Sequence, residues 1–202
     1  MRQIILVGGG GHCKACIDII EQSDKYAVGG IVDLPEKQGE KVLGYPVIGT
    51  DEDLGSLAHR YTDFLVTAGQ IQSPALRRRL FYLIKEVGGN SPVLISPHAQ
   101  VSRHARIGEG SIVMHGAIVN AAAVVGRNTI INTRALVEHD AIIGDHCHLA
   151  TGGIVNGGAK IGEGSFVGSG AVVREYVEVG EACLIGGHVF VRKDVAPNTI
   201  LR

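Results

Sequence analysis

Residues 125–161 read Val125-Gly-Arg-Asn-Thr-Ile-Ile131-Asn-Thr-Arg-Ala-Leu-Val137-Glu-His-Asp-Ala-Ile-Ile143-Gly-Asp-His-Cys-His-Leu149-Ala-Thr-Gly-Gly-Ile-Val155-Asn-Gly-Gly-Ala-Lys-Ile161, with an aliphatic residue at every sixth place. The period extends both ways, from Ile95 to Val191, and all seventeen of its positions are Ile, Leu or Val. These three types make up 58 of the 202 residues, so a chance run of this length has odds on the order of one in a billion and the repeat is real. Four places further on in each hexad stands a smaller residue, as at Ala135, Ala141, Cys147 and Gly153. One aliphatic and one small residue per six describe a parallel β-helix, in which each hexad supplies a short flat face and a corner. The first and fifth positions point inward and the others lie at the corner or the surface. His139, third in its hexad, is therefore an outward imidazole.

Composition agrees with a repeating core. Glycine numbers 29, about twice the usual share, against five Tyr, four Phe and no Trp. A formal charge of −1 and no basic run longer than Arg77-Arg78-Arg79 give no footprint for a nucleic acid. The apolar run Ile4-Ile5-Leu6-Val7 ends in four glycines, and no stretch approaches the roughly 20 apolar residues of a membrane span. A cytoplasmic protein is expected. Four cysteines are too few for a disulfide scaffold, and Cys13-x-x-Cys16 without a second pair reads as two small residues one turn apart on a helix.

Ahead of the hexads the pattern changes, which divides the chain into residues 1–92 and 93–202. Gln3–Val7 reads as a buried strand, followed by Gly8-Gly9-Gly10-Gly11-His12 and a helix through Ile17, Ile19 and Ile20. A second strand, Val28–Val32, ends in Asp33. A loop with Gly44-Tyr45-Pro46 leads to a short helix over 51–58, a strand over 64–68, a helix over 74–87 and a fourth strand at Val93–Ile95. Alternation of this kind predicts a Rossmann-like parallel α/β sheet with its ligand at the C-terminal strand ends. Backbone amides reached through glycine favour a phosphate group. Cys13 occupies the third glycine position of the dinucleotide fingerprint, so a nucleotide or nucleotide sugar is expected there ahead of NAD, with a purely structural turn as the other reading. Asp33 would accept from a ribose or base edge, or be a solvated loop carboxylate.

The hexads, the Val7-Gly-Gly-Gly-Gly-His12 turn, the Gly44-Tyr-Pro-Val-Ile-Gly49 loop and Val137-Glu-His-Asp140 together resemble the bacterial sialic acid O-acetyltransferase and nucleotide-amino-sugar N-acetyltransferase family of NeuD/PglD type. The resemblance implies a left-handed β-helix of three hexads per triangular coil, about 5.7 turns and about 27 Å long at the usual strand spacing. It implies acetyl-CoA as donor, no metal, a homotrimer, and a catalytic site between neighbouring prisms. In that frame His139 is the general base and Asp140 its acid partner. His148, Ser169 and Gly187 lie along acetyl-CoA, while Gly10, Gly11, His12 and Asp33 hold the nucleotide-sugar acceptor. Many members of the family use a Gly-Val-Pro-Ala-Lys type segment near CoA, and residues 1–202 contain none.

With 18 residues per coil, His139 is flanked by Ala121 and Gly157, leaving room beside the ring. Thr151, Ser169 and Gly187 form another small-residue column along which an extended molecule could lie. Cys147 and Cys183 stack inward, two coils apart, as core residues. Adjacent strand residues face opposite ways, so Asp140 can reach His139 only if the chain turns there. The chemistry expected is direct attack of an amine on the thioester, without an acyl-enzyme.

Three other readings stand beside it. An O-acetyltransferase of a sialic acid-type sugar would use the same parts. A γ-carbonic-anhydrase-like zinc enzyme shares the β-helix but needs a His pair separated by four residues, whereas His146 and His148 lie seven and nine residues from His139. A non-catalytic scaffold with a nucleotide-sensing domain would leave His139 without a task.

Overall fold

The computed structural model describes all 202 residues, which form two compact units: Met1–Gly69 with Ala75–Pro92, and Gln70–Pro74 with Val93–Arg202. No helix is long and apolar enough to cross a membrane.

In the first unit β1 (Arg2–Val7), α1 (Gly11–Glu21), β2 (Tyr26–Val32), β3 (Lys41–Val42), β4 (Tyr45–Gly49), α2 (Leu54–Ala58), β5 (Asp63–Val66) and α3 (Ala75–Glu86) follow in order. The sheet runs β3-β4-β2-β1-β5, all parallel except the β3–β4 hairpin. Two sequence expectations need correction here. The Gly44-Tyr45-Pro46 segment is no mere loop: Gly44, at φ +89°, turns a hairpin whose second strand extends the sheet beside β2. Val93–Ile95 is no fourth strand of this sheet, because Leu94–Ile95 pairs with Ile112–Val113 and opens the β-helix.

Helix α3 is fastened to the end of β5 by Arg77. Its fully buried guanidinium donates through Nη1 to the carbonyls of Val66 (2.9 Å) and Ala68 (2.6 Å). Burial pulls its pKa down to about 10. Cys13 and Cys16 are buried, unpaired thiols on α1, and burial pushes Cys13 up to about 11. Both are poor nucleophiles for that reason.

The second unit is a left-handed β-helix. Eighteen two-residue strands, from Leu94–Ile95 to Ile200–Leu201, stack in parallel into sheets of six, five and seven strands, the three faces of a prism. Val119, Val137, Val155 and Val173 stack through its centre, each at most 1 % exposed. The fourth residue of every hexad from Gly110 to His188 has φ between +50° and +72°, so each corner is turned by one left-handed residue.

One corner carries a glycine column. Gly108, Gly126, Gly144, Gly162 and Gly180 recur there every 18 residues, and a Cβ on any of them would meet the backbone of the next coil at 2.5–2.8 Å. The carbonyls exposed by this close approach are satisfied from inside. Ser111 donates to Gly126 O (2.6 Å), Thr129 to Gly144 O (2.9 Å), Cys147 to Gly162 O (3.1 Å) and Ser165 to Gly180 O (2.9 Å). Cys147 and Cys183 are thus core residues that also donate from sulfur, and burial pushes Cys147 up to about 12.

Candidate active site

His139 stands on an outer edge of the prism, its side chain 59 % exposed. The corner rule explains why Asp140 can serve it. Asp140 is the left-handed residue of its hexad (φ +60°), which turns its carboxylate back along the chain until Oδ2 lies 2.8 Å from His139 Nδ1. The imidazole carries its proton on Nδ1, donated to Asp140, and presents an Nε2 lone pair. The hydrogen bond to Asp140 raises the His139 pKa above its ordinary value; desolvation opposes it, and the charges of Asp140 and Glu138 add to the rise. Glu138 adds a second support: its Oε2 accepts from the His139 backbone N–H (3.3 Å) and from Asn120 Nδ2 (2.8 Å).

The room left by small neighbours is used differently from the sequence expectation. The imidazole itself leans over Gly157, with Cε1 2.8 Å and Nε2 2.9 Å from where a Cβ would stand. Gly157 therefore fixes the tilt of the ring.

His148 is 8 % exposed and held at both nitrogens. Nδ1 donates to Gln70 O (2.5 Å), Nε2 accepts from Asn132 Nδ2 (3.0 Å), and the ring meets Phe166 edge-on. Gln70 also donates to His146 O at 2.9 Å. Sequence spacing gave no sign of this docking, since Gln70 lies 78 residues from His148. Thr151, Ser169 and Gly187 form the exposed column expected of them, on a different edge from His139. His188 flanks that column, its ring over Gly170 at 2.7 Å from a Cβ position; as one histidine among nine it carried no distinguishing signal.

In the first unit the C-terminal ends of β1 and β5 approach so closely that a Cβ on Gly8 (φ +106°) would lie 2.7 Å from Ala68 N. The chain leaves β1 for α1 on one side and reaches β5 on the other, which makes this crevice the switch point of the sheet. A cavity of about 250 Å³ opens there, walled by Gly8–Gly10, Asp33, Leu34, Leu76 and Arg79 among others. Asp33 is built into its rim: Oδ2 accepts from Gly9 N (3.1 Å) and Oδ1 from Leu34 N (2.9 Å). Gly10 lines the cavity. Gly11 and His12 stand outside its walls on the first turn of α1, His12 with its Cβ near Gly69 and its Nε2 3.7 Å from Cys16 Sγ. No three His, Cys, Asp or Glu side chains come together in a metal-holding arrangement.

Fold and site together define a hexapeptide-repeat acyltransferase with an α/β domain ahead of its β-helix. Residues 3–82 match the family described as PglD N-terminal domain, and residues 158–193 match bacterial transferase hexapeptide (six repeats). A variant of perosamine N-acetyltransferase from Caulobacter crescentus, solved with CoA and GDP-perosamine, is 33 % identical with a TM-score of 0.92, covering 99 % of this chain and 93 % of that one. The acetyltransferase domain of PglB from Neisseria gonorrhoeae, solved with acetyl coenzyme A, is 34 % identical with a TM-score of 0.90, covering 98 % and 95 %. WeeI from Acinetobacter baumannii shares the fold at 21 % identity and a TM-score of 0.78, covering 100 % and 97 %. No curated protein sequence matches the chain. The chain belongs to the PglD/NeuD-type sugar acetyltransferase family.

Proposed function

We propose that this chain transfers the acetyl group of acetyl-CoA to the amino group of a nucleotide-linked amino sugar, with His139 as general base. The observation that carries the reading is the 2.8 Å His139–Asp140 pair on an exposed prism edge. It stands in a chain whose solved relatives hold CoA with GDP-perosamine, or acetyl coenzyme A. Nε2 of His139 takes a proton as the sugar nitrogen attacks the thioester carbonyl, and a C–N bond forms. The tetrahedral intermediate, its oxyanion assigned to a backbone N–H donor, collapses with cleavage of the C–S bond, and coenzyme A leaves as the thiol. Asp140 holds the ring and stabilises the imidazolium throughout.

Thr151, Ser169 and Gly187 we assign to the CoA chain, with His148 beside it, and Gly10, Gly11, His12 and Asp33 to the acceptor. His139 and the Ser169 column occupy different edges of one prism, so a complete site needs the edge of a second copy. A homotrimer with three such sites meets that need. Acetyl-CoA and nucleotide sugars are made in the cytoplasm, where we place the reaction.

Acetyl-CoA consumption measured against UDP-, GDP- and dTDP-linked amino sugars and free sialic acids tests the reading. Turnover with a nucleotide amino sugar is expected. Turnover with sialic acids alone would mean O-acetylation, and none with any of them sinks the assignment.

The pair also sets a pH dependence. The base must be unprotonated, and its pKa is raised, so kcat/KM falls on the acid side through a limb lying above pH 6.5. In Asp140→Asn the carboxylate is gone, and the limb moves down towards about 6.5 while the plateau drops about tenfold or more. A pH–rate profile of the two proteins checks this; a limb that stays in place removes Asp140 from the mechanism.

A further inference from the structure

The edge that carries His139 also carries an aromatic side chain with no part in the chemistry above. Tyr176 is the most exposed of all the Tyr and Phe residues, at 75 %. It holds the left-handed corner position of its hexad, at φ +58°, where a bulky side chain is strained. The other left-handed corners of the prism are taken by Gly, Ala, Asn, Asp, Arg or His. Ala122 (φ +61°) and Ala182 (φ +51°) show that such a corner needs no ring to form. Neither burial nor backbone preference accounts for the tyrosine.

Its ring has a defined place. Gly158 N donates to His139 O (3.0 Å) and Tyr176 N to Gly157 O (3.1 Å), so His139, the Gly157–Gly158 step and Tyr176 belong to successive coils of one edge. The imidazole leans onto this step from one side, over Gly157. The phenol leans onto it from the other, with Cδ1 and Cε1 2.6 Å from where a Cβ on Gly158 would stand. A step without side chains of its own therefore lies between the base and the aromatic ring.

We propose that Tyr176 packs its ring against the pantetheine arm of the acetyl donor and so holds the thioester beside His139, an assignment that rests on the acetyltransferase reading above. The register of the coils selects the arm. Thr151, Ser169 and Gly187 stand in the same coils as Gly157, Glu175 and Lys193, the successive positions above His139 at its corner. A second copy related by rotation about an axis along the prism keeps every coil at its height. A donor lying on the Thr151–Ser169–Gly187 column of one copy, with its thioester at His139 of the other, passes Tyr176 on its way to the nucleotide end. Tyr176 stands two coils beyond His139, roughly 10 Å at the usual strand spacing. The arm spans that distance with the pyrophosphate still beyond. Its amide planes and methyl groups suit the flat face of a phenol, and apolar area is buried on both partners.

Calorimetric titration of the full chain with CoA, and with adenosine 3′,5′-bisphosphate, which keeps the nucleotide end and lacks the arm, tests the proposal. Tyr176→Ala is expected to weaken CoA at least about fivefold and to leave the bisphosphate unaffected. In steady-state kinetics the loss falls on KM for acetyl-CoA, not on kcat or on KM for the acceptor. Tyr176→Phe keeps the ring and restores CoA binding to within about twofold of wild type. A melting temperature of Tyr176→Ala no lower than that of wild type separates lost binding from a damaged fold. Asn128 and Asn198 occupy left-handed corners too, so Tyr176→Asn replaces the alanine variant should that one misfold. A smaller loss of CoA affinity, or a loss found only in KM for the acceptor, overturns the proposal and leaves the acetyltransferase reading standing. An equal loss for the bisphosphate moves the contact to the nucleotide end and overturns it as well. No binding of CoA by the wild-type chain overturns both.

Discussion

Replacing His139 by alanine lowers kcat by about 10³-fold and leaves acetyl-CoA binding close to its wild-type strength. The loss follows from the role: no other side chain is hydrogen-bonded to Asp140 in a position to take the amine proton, and Asp140 alone, a weaker base, is turned towards the ring it serves. The retention follows from the architecture, since His139 sits on one prism edge and the Thr151–Ser169–Gly187 column on another. The substitution leaves the core untouched because the side chain is 59 % exposed on the prism edge. Steady-state kinetics with calorimetric titration of acetyl-CoA reads both halves. A variant keeping more than about a tenth of wild-type turnover would show that the proton goes elsewhere.

Gly126→Ala destabilises the β-helix by about 3 kcal/mol, the upper range for overpacking, because the methyl group has nowhere to go. Its Cβ would stand 2.5 Å from the backbone nitrogen of Asp145 and 2.5 Å from the carbonyl carbon of Gly144. These are backbone atoms of the next coil, fixed by the Gly126 N to Ile143 O bond (2.8 Å) and the Arg127 N to Asp145 Oδ1 bond (2.7 Å). Relief requires the coils to part at this corner, which also breaks the Thr129 Oγ1 to Gly144 O bond (2.9 Å) between the same two coils. Chemical denaturation followed by far-ultraviolet circular dichroism measures the effect. Gly10→Ala is the control, since nothing lies within 4 Å of its Cβ position and the expected change there is within about 0.5 kcal/mol. Equal stability of Gly126→Ala and wild type would mean that the corner yields more easily than its contacts imply.

The hexad repeat was readable because burial in a β-helix is set by position alone. A residue's place in its six decides whether it points inward, so Val137, Val155 and Val173 announce the core without knowledge of any distant contact. The outward direction of His139 came from the same rule. The requirement that the chain turn between His139 and Asp140 was also legible, and the left-handed residue at every corner supplies that turn. The glycine column at 108, 126, 144, 162 and 180 was present in the sequence as an 18-residue period, but a search by sixes passes over it.

What the sequence determined by itself is therefore the family of folds, the inward and outward faces of the prism and the residues able to do proton chemistry, all of which depend on spacing along the chain. The tertiary structure decided the rest. It placed Gln70 on His148, which ties up both ring nitrogens across 78 residues. It moved Leu94–Ile95 out of the α/β sheet and into the first coil, because a two-residue aliphatic strand carries no mark of which sheet will pair with it. It joined Asp51 to Arg79 across the switch-point cavity. Each of these depends on which segments pack together after the chain has closed on itself, and local pattern does not encode such long-range closure.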